Sequence, residues 1–150
     1  LGVNKITPII SKRMLLKLPP ERLIKKMQHW QEIIRHAVCQ CGRLDLPYLA
    51  TPIALPAFLE QEERGLKLVA LPMSAGAPLT EFNTNSTSHN QITLLIGGES
   101  GFDEDERQHI MQCNYQPWQL GPRILRTETA SVVALSLLQA KFGDLINCIR

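Results

Sequence analysis

The amino-acid sequence predicts an α/β domain with a mostly parallel sheet flanked by helices. Short apolar segments of strand length alternate along the 150 residues with longer amphipathic segments, whose apolar positions recur every three or four residues. This alternation is typical of parallel sheets covered on both sides, because a helix carries the chain back between parallel strands. The length suits one domain with a sizeable core.

The first predicted elements are a strand and a long helix. Apolar and β-branched residues from Val3 to Ile10 favour the strand. Pro19 and Pro20 stop the chain before Glu21 opens the helix. Gly42 stands where this helix would end. The apolar stripe of the helix contains Leu23, Met27, Trp30, Ile34, Ala37 or Val38, and Cys41.

The middle of the chain is predicted to hold a short helix and a buried strand. Residues 52–56 are interpreted as a connection, and Phe58 to Glu63 as a short helix that Gly65 closes. Residues 66–71 are apolar throughout except for one lysine, which favours a strand buried on both faces and ended by Pro72.

A polar loop and a second strand and helix follow. Residues 73–90, where Ser, Thr, Asn and Gly dominate, are predicted to form a mobile loop. Ile92 to Ile96 is predicted to be a buried strand. Asp103 and Glu106 have the spacing of a capping box for a helix that runs through about Cys113.

The last predicted elements are a short strand over residues 117–120 and a helix over residues 127–142. The helix is expected to turn Ala130, Val133, Ala134, Leu137 and Leu138 inward. Its small residues would permit close packing of a second helix at a dimer interface. They are Ala130, Ser131, Ala134 and Ser136.

Positive charge is concentrated near the N-terminal end. Residues 1–43 hold nine Lys or Arg and two acidic residues, whereas residues 44–150 hold seven and twelve. On the long helix, one side carries Arg22, Lys25, Lys26, His29 and His36. This stripe is predicted to attract phosphates, and a solvated helix face is the alternative. The apolar runs are too short to span a bilayer, and the cytoplasm is the expected compartment.

The four cysteines do not form a zinc pattern. Cys39 and Cys41 are too close together for the usual zinc pair, and neither Cys113 nor Cys148 supplies a second pair. Free thiols that are buried or partly buried are expected. The acidic residues 103–106 are interpreted as a helix start favoured by the helix dipole, and no metal site is expected.

The segment from Leu120 to Ala130 is the strongest candidate for a binding loop. It leaves a strand, turns on Gly-Pro, presents Arg123 and Arg126, and then begins a helix. Backbone amides and cations therefore meet at the carboxyl end of a strand, where α/β sheets bind ligands. An ordinary connection between a strand and a helix is the alternative.

Glycines after the second buried strand mark another candidate loop. Gly97, Gly98 and Gly101 do not match the spacing of a dinucleotide fingerprint or a P-loop. Such glycines still let a ligand approach the backbone closely, as recognition of an adenine edge requires. The apolar walls of this slot would come from Leu71, Ile96, Leu120, Ile124 and Leu125.

Four segments of the chain resemble, in order, those of the bacterial ribosomal RNA small subunit methyltransferase E family, which belongs to the SPOUT superfamily. They are Leu1-Gly2-Val3 with Ser11-Lys12-Arg13, Gln40 to Arg43 with Pro47, Leu94 to Phe102, and Leu120 to Ala130. The resemblance implies that residues 1–150 are the catalytic domain. It also implies that the family's PUA-like RNA-binding domain lies outside this chain.

Several further properties follow from the resemblance. The fold would contain a deep trefoil knot of the SPOUT type. The protein would act as a homodimer. The activity would be methylation of N3 of a uridine in 16S rRNA within the 30S subunit, with S-adenosylmethionine (SAM) as the cofactor. The same fold could instead serve another RNA nucleotide, or the chain could be a non-catalytic module for RNA binding or ribosome assembly.

The resemblance also assigns the site residues. Cofactor binding is expected at Leu71, Pro72, Ile96, Gly97, Gly98, Glu99, Gly101, Phe102, Leu120, Gly121, Arg123, Ile124, Leu125, Arg126 and Thr127. Arg126 and Arg13 are expected to stabilise negative charge on the uracil oxygens, and Glu99 to accept a proton or to act as a hydrogen-bonding partner. The alternative is that Arg123 or Arg126 forms a structural ion pair with Glu128 or interacts with a helix end.

The chain departs from the family pattern at three positions. Gly98 stands where the family has proline, Ser100 where it has glycine, and Lys12 where it commonly has glutamate. A looser loop loses more entropy when it binds a ligand, and Ser100 would be strained if it needed a positive φ.

Overall fold

The computed structural model describes residues 1–13, 19–61, 65–71 and 91–145. The elements in chain order are β1 (Lys5–Ile6), β2 (Ile9–Ile10), α1 (Pro20–Cys41), β3 (Tyr48–Leu49), β4 (Ile53–Ala54), α2 (Leu55–Leu59), β5 (Leu66–Ala70), β6 (Ile92–Ile96), α3 (Glu104–Gln112), β7 (Gln116–Trp118) and α4 (Thr127–Phe142). Pro72, Cys148 and the loop predicted at residues 73–90 lie outside the described residues.

All strand pairs among the described residues are parallel, which confirms the α/β prediction. β5 lies between β6 and β7 in a three-stranded sheet, while β1 pairs with β3 and β2 pairs with β4. The register places Ala70 of β5 beside both Ile96 of β6 and Trp118 of β7. The carboxyl ends of three strands therefore meet at one edge of the sheet.

The central sheet is covered on both faces. One buried cluster unites β5, β6, α2 and α3, and it comprises Leu55, Phe58, Leu59, Val69, Leu71, Leu95, Phe102, Ile110 and Tyr115. A second cluster packs α4 against the opposite face, with Leu66, Leu68, Trp118, Ala134 and Leu138. Leu68 and Val69 are adjacent and both fully buried, because successive side chains of a strand point to opposite faces.

The predicted strand from Val3 to Ile10 is wrong as a single element. β1 and β2 are separate, and they pair with different strands. Pro8 lies between them and has no N–H to donate to a ladder, although its carbonyl accepts from Ile53 N at 3.1 Å.

Helix α1 confirms its predicted bounds to within a residue. It ends at Gly42, which has φ of 70°, a conformation that glycine adopts at no steric cost. Ile34 and Val38 of the predicted stripe are buried, but Cys41 in the last turn is exposed. Arg43, which follows the helix, donates to the carbonyl oxygen of Val3 at 2.8 Å and so joins the end of α1 to the start of the chain.

Helix α2 begins and ends earlier than predicted. It spans Leu55–Leu59 rather than Phe58 to Glu63, because Pro56 occupies its first turn, where a missing N–H costs nothing. The third central strand is also earlier than predicted, at Gln116–Trp118, and β5 stops one residue before Leu71.

Helix α4 has its predicted bounds, but its burial differs in part. Ala130, Ala134 and Leu138 are buried, whereas Leu137 is 41% exposed because it lies about 100° around the helix from Leu138. Ala130 and Ala134 pack inside their own chain and so do not supply the small interface surface expected for a dimer. No described helix combines the length and apolar character needed to cross a bilayer.

Candidate functional site

A cavity of about 680 Å³ lies at the carboxyl edge of the three-stranded sheet. Its lining residues are Ala70, Leu71, Ile96, Gly97, Gly98, Glu99, Ser100, Gly101, Phe102, Arg107, Leu120, Gly121, Arg123, Ile124, Leu125, Arg126, Thr127, Glu128 and Ala130. Every residue predicted for cofactor binding lines this cavity, except Pro72, which lies outside the described residues. The two candidate loops of the sequence therefore converge on one space.

The strand register explains this convergence. β5, β6 and β7 run parallel, and their last residues lie side by side. The amide of Leu71 donates to the carbonyl oxygen of Trp118 at 3.1 Å and extends the pairing by one residue. Because parallel strands present their carboxyl ends at the same edge, the segments that follow β5, β6 and β7 are neighbours.

The glycine-rich loop, residues 97–102, contains a tight turn. The amide of Gly101 donates to the carbonyl oxygen of Gly98 at 2.9 Å, and Gly101 has φ of +62°. A Cβ atom at Gly97 would lie 3.2 Å from the ring of Phe102, so glycine allows that ring to pack closely. Asn114 is the only non-glycine residue with positive φ in the described ranges, so the strain considered at Ser100 does not arise.

The third loop, residues 119–127, leads into α4. Thr127 donates from its hydroxyl to the carbonyl oxygen of Gly97 at 3.2 Å, which joins this loop to the glycine-rich loop. Arg126 is the N-cap of α4, with no side-chain capping bond. Neither Arg123 nor Arg126 forms an ion pair with any other described residue, so the alternative pairing with Glu128 is absent from this part of the chain.

The predicted catalytic residues occupy different places. Arg126 and Glu99 are exposed and line the cavity. Arg13 is not among the described residues that line it, but its Nη1 donates to the carbonyl oxygen of Ser100, 2.9 Å away and 87 residues later in the chain. Glu99 and Arg126 thus line the cavity from two different loops, and Arg13 contacts the loop that contains Glu99.

The RNA methyltransferase domain family has a sequence profile that matches residues 1–139. The chain belongs to this family. Its curated relatives include ribosomal RNA small subunit methyltransferase E of Buchnera aphidicola from Schizaphis graminum, which is 40% identical over 97% of this chain and 58% of that protein. The enzyme of that name from Synechocystis is 32% identical over 93% of this chain and 46% of that protein. These relatives confirm the resemblance seen in the sequence.

Solved structures of similar proteins agree with the fold of this RNA methyltransferase domain. A methyltransferase of Legionella pneumophila, solved with bound SAM, has a TM-score of 0.85 and 38% identity, over 93% of this chain and 56% of that one. Ribosomal RNA small subunit methyltransferase E of Neisseria gonorrhoeae, also bound to SAM, has a TM-score of 0.84 and 33% identity, over 95% of this chain and 57% of that one. The chain thus spans little more than half the length of these relatives.

Sequence reasoning missed some residues of the site in this RNA methyltransferase domain. Ala70 and Arg107 lie outside the predicted loops, whereas Ser100, Glu128 and Ala130 lie within them but were not among the predicted binding residues. Arg107 comes from the first turn of α3, where its Nε donates to the carbonyl oxygen of Phe102 at 3.2 Å. Its position directly after the capping-box residue Glu106 is the signal that could have found it, because the start of a helix faces the loop that precedes it.

Metal chemistry has no candidate ligands among the described residues, where no three His, Cys, Asp or Glu side chains cluster. Cys113 is a half-buried free thiol, as expected. Cys39 and Cys41 are free but exposed, so the expectation of burial is wrong for both. Cys39 lies off the apolar stripe of α1, and Cys41 lies in the last turn, where the stripe no longer contacts the core.

Proposed function

We propose that this chain is the catalytic domain of a SAM-dependent methyltransferase that methylates N3 of a uridine in 16S rRNA of the small ribosomal subunit. The observation that carries the proposal is the cavity at the sheet edge, where loops from three parallel strands converge. Two proteins 38% and 33% identical to this chain were solved with bound SAM, and the curated relatives are named for the small-subunit rRNA.

The residues present suit this cofactor. A cavity of about 680 Å³ has the size of a typical small-molecule site. Leu71, Ile96 and Leu125 provide apolar surface for an adenine ring. A Cβ atom at Gly98 or Gly101 would meet no protein atom within 4 Å, so the backbone there is open to a ligand. Our proposal assigns cofactor binding to the lining residues predicted from the sequence, and to Pro72.

When bound, SAM supplies an electrophilic methyl carbon on its sulfonium. Uridine N3 carries a proton that must leave, and the resulting negative charge is shared with O2 and O4. In our proposal the Arg126 guanidinium lies against these oxygens and stabilises that charge, while the Glu99 carboxylate accepts the proton. Both side chains line the cavity, so the two roles require no group from elsewhere in the described chain.

RNA binding is assigned to the basic side of α1. Arg22, Lys25 and Lys26 are exposed there, together with His29 and His36. Exposed cations bind phosphate groups regardless of base sequence. The remaining parts of the proposal, the trefoil knot, the homodimer and the cytoplasmic location, are supported by membership of the family. The activity of the complete protein is likewise a proposal, because the chain spans only about half the length of its relatives.

Calorimetric titration of the 150-residue chain with SAM tests the cofactor proposal, and we expect saturable binding. Absence of binding at millimolar SAM, or a crystal structure with SAM outside the sheet-edge cavity, would contradict it. The substrate is tested by incubating the full-length protein with unmethylated 30S subunits and digesting the 16S rRNA to nucleosides. We expect 3-methyluridine by mass spectrometry. Methylation at another base or ring position would refute the assignment of N3.

A further inference from the structure

Residues 11–13, which we call the N-terminal strap, lie beside the glycine-rich loop. Arg13 Nη1 donates to the carbonyl oxygen of Ser100 at 2.9 Å. The main-chain amide of Lys12 donates to Glu106 Oε1 at 2.7 Å. The ammonium of Lys12 donates to Asp105 Oδ2 at 2.9 Å. The strap thus contacts both the glycine-rich loop and the first turn of α3.

Glu106 gives the strap a rigid anchor. Glu106 is buried, with only 5% of its surface exposed. Its Oε2 accepts a hydrogen bond from the amide of Asp103 at 3.0 Å. Asp103 in turn accepts from the amide of Glu106 at 2.8 Å, which completes the capping box. Because Oε1 accepts from Lys12, one buried carboxylate joins the strap and the start of α3. Bonds of this kind, to an ionised acceptor, are stronger than neutral ones.

Lys12 suits the acidic start of this particular helix. Its ammonium lies 2.9 Å from Asp105 and 3.8 Å from Asp103. The hydrogen bond that Lys12 donates to Asp105 raises the pKa of Lys12, so the ammonium is still charged at pH 10.5, the ordinary value, and its contact is lost as the pH rises through the higher one. A glutamate at this position, common in the family, would face two carboxylates. The positive charge of Lys12, which departs from the family pattern, is therefore complementary to the carboxylates that it contacts.

The bond between Arg13 and Ser100 restricts a loop that would otherwise have unusual freedom. Three of the six residues from Gly97 to Phe102 are glycine, and glycine loses more backbone entropy on ordering than any other residue. Ser100 is exposed, so water would satisfy its carbonyl oxygen if Arg13 were absent. What the bond changes is therefore the conformational freedom of the loop. A loop that is ordered in advance loses less entropy when a ligand binds.

We propose that Arg13 is a positioning residue and not the charge-stabilising residue expected from the sequence, and that its guanidinium holds the glycine-rich loop in the conformation that lines the cavity. Arg13 then acts on cofactor binding through the loop, while Arg126, which lines the cavity itself, acts on the substrate. The strap's part in ordering the loop stands on the contacts above. Its consequence for SAM rests on the proposed function.

Hydrogen–deuterium exchange on the ligand-free chain tests the ordering of the loop. Arg13→Ala should accelerate exchange in residues 99–102 by about two- to twelvefold, the range expected for one lost hydrogen bond. The amide of Gly101, which is bonded to Gly98, is the most direct reporter. Arg35→Ala is the matched control, because Arg35 is an exposed arginine on α1 that pairs with Glu32. Unchanged loop exchange in Arg13→Ala would overturn the proposal.

Cofactor affinity and methylation rate then separate positioning from catalysis. Arg13→Ala should weaken SAM binding by about two- to twelvefold and leave the single-turnover rate at saturating SAM and 30S subunits nearly unchanged. Arg13→Lys should recover part of the affinity, since an ammonium can donate to the same carbonyl oxygen. A large loss of rate with unchanged SAM affinity would overturn the proposal. Failure of the unmodified chain to bind SAM would contradict the proposed function, whereas the exchange experiment would still decide the role of Arg13.

Discussion

The hydroxyl of Thr127 donates a hydrogen bond to the carbonyl oxygen of Gly97, 3.2 Å away. Gly97 directly follows β6 and Thr127 is the first residue of α4, so one side chain joins two segments that line the cavity. Thr127 is half-buried, and the bond is therefore only partly exposed to competition from water. We expect this bond to help hold the two loops in their relative position.

Thr127→Val should weaken SAM binding, because valine keeps the shape of threonine but removes the donor. The loss of a typical hydrogen bond, about 0.5–1.5 kcal/mol, corresponds to roughly a two- to twelvefold higher Kd. Calorimetric titration measures this change. Thr129→Val, at an exposed position in the same turn of α4, is the control and should leave the Kd unchanged. Equal affinities for the two variants would show that the bond does not position the loops.

Arg126→Ala should reduce methyl transfer far more than SAM binding. Removing one donor that stabilises charge in the transition state typically costs about 2.7–4 kcal/mol, or roughly a hundred- to a thousandfold in rate. Single-turnover methylation of 30S subunits by the full-length protein, at saturating SAM, is the measurement. The exposed side chain makes no capping bond, so α4 should remain intact. An unchanged rate would remove Arg126 from the reaction.

Alanine at Gly98 and at Gly101 should affect stability in opposite directions. Gly98 lacks a positive φ, and a Cβ atom there would meet no atom within 4 Å. Gly98→Ala should therefore raise the free energy of unfolding by about 0.4–1 kcal/mol, because alanine lowers the conformational entropy of the unfolded chain. Gly101 has φ of +62°, where alanine costs about 1–2 kcal/mol. Urea denaturation of both variants tests the pair. Similar free energies of unfolding for the two variants would mean that the turn is not held in this conformation.

Glu106→Ala should lower the free energy of unfolding more than is usual when an acidic residue at a helix start is replaced. The substitution removes the acceptor of two main-chain amides, those of Lys12 and Asp103. Hydrogen bonds to charged groups contribute about 1.5–3 kcal/mol each, so we expect a loss of at least about 2 kcal/mol in urea denaturation. Glu104→Ala, in the same turn but exposed, is the control and should change stability by less than about 0.5 kcal/mol. A similar small effect for Glu106 would contradict its role as an anchor.

Charge reversal at Lys25 and Lys26 should weaken RNA binding for all sequences about equally, because contacts with phosphates carry no base information. The effect should shrink as salt is raised. A filter-binding titration with two unrelated RNAs at two salt concentrations measures both trends. Lys5→Glu with Lys141→Glu changes the net charge by the same amount at exposed positions outside α1. Equal losses for the two double variants would assign the effect to total charge rather than to α1.

Regular patterns in the sequence predicted much of the fold. The glycine end of α1, the capping box of α3 and the stripe of α1, apart from the exposed Cys41, were predicted correctly, because each depends on residues a few positions apart. The boundaries of β1, β2 and α2 were wrong where Pro8 and Pro56 altered local hydrogen bonding. Proline acts differently in a strand and in the first turn of a helix, and the sequence does not show which applies.

The candidate site followed a different course. The two lining loops could be named because glycines and arginines mark them, and the family resemblance joined them. The contact between Arg13 and Ser100 could not be predicted, since nothing local relates residues so far apart in the chain. Arg107 was missed for a related reason. The helical pattern of the sequence around Arg107 describes α3 alone, whereas the place of Arg107 in the cavity depends on how α3 packs against the glycine-rich loop.

The parallel pairing of the strands has a consequence for the kinetics of folding. Leu66 pairs with Ile92 and Leu68 pairs with Gln116, and no pair of described strands forms a hairpin. Long stretches of chain must therefore be closed into loops before any ladder gains a hydrogen bond, and such topologies refold slowly. We expect the sheet to form late, after collapse of the helices. A partly folded chain would then expose the edges of β5 on its way to the native state, when it is most prone to aggregate.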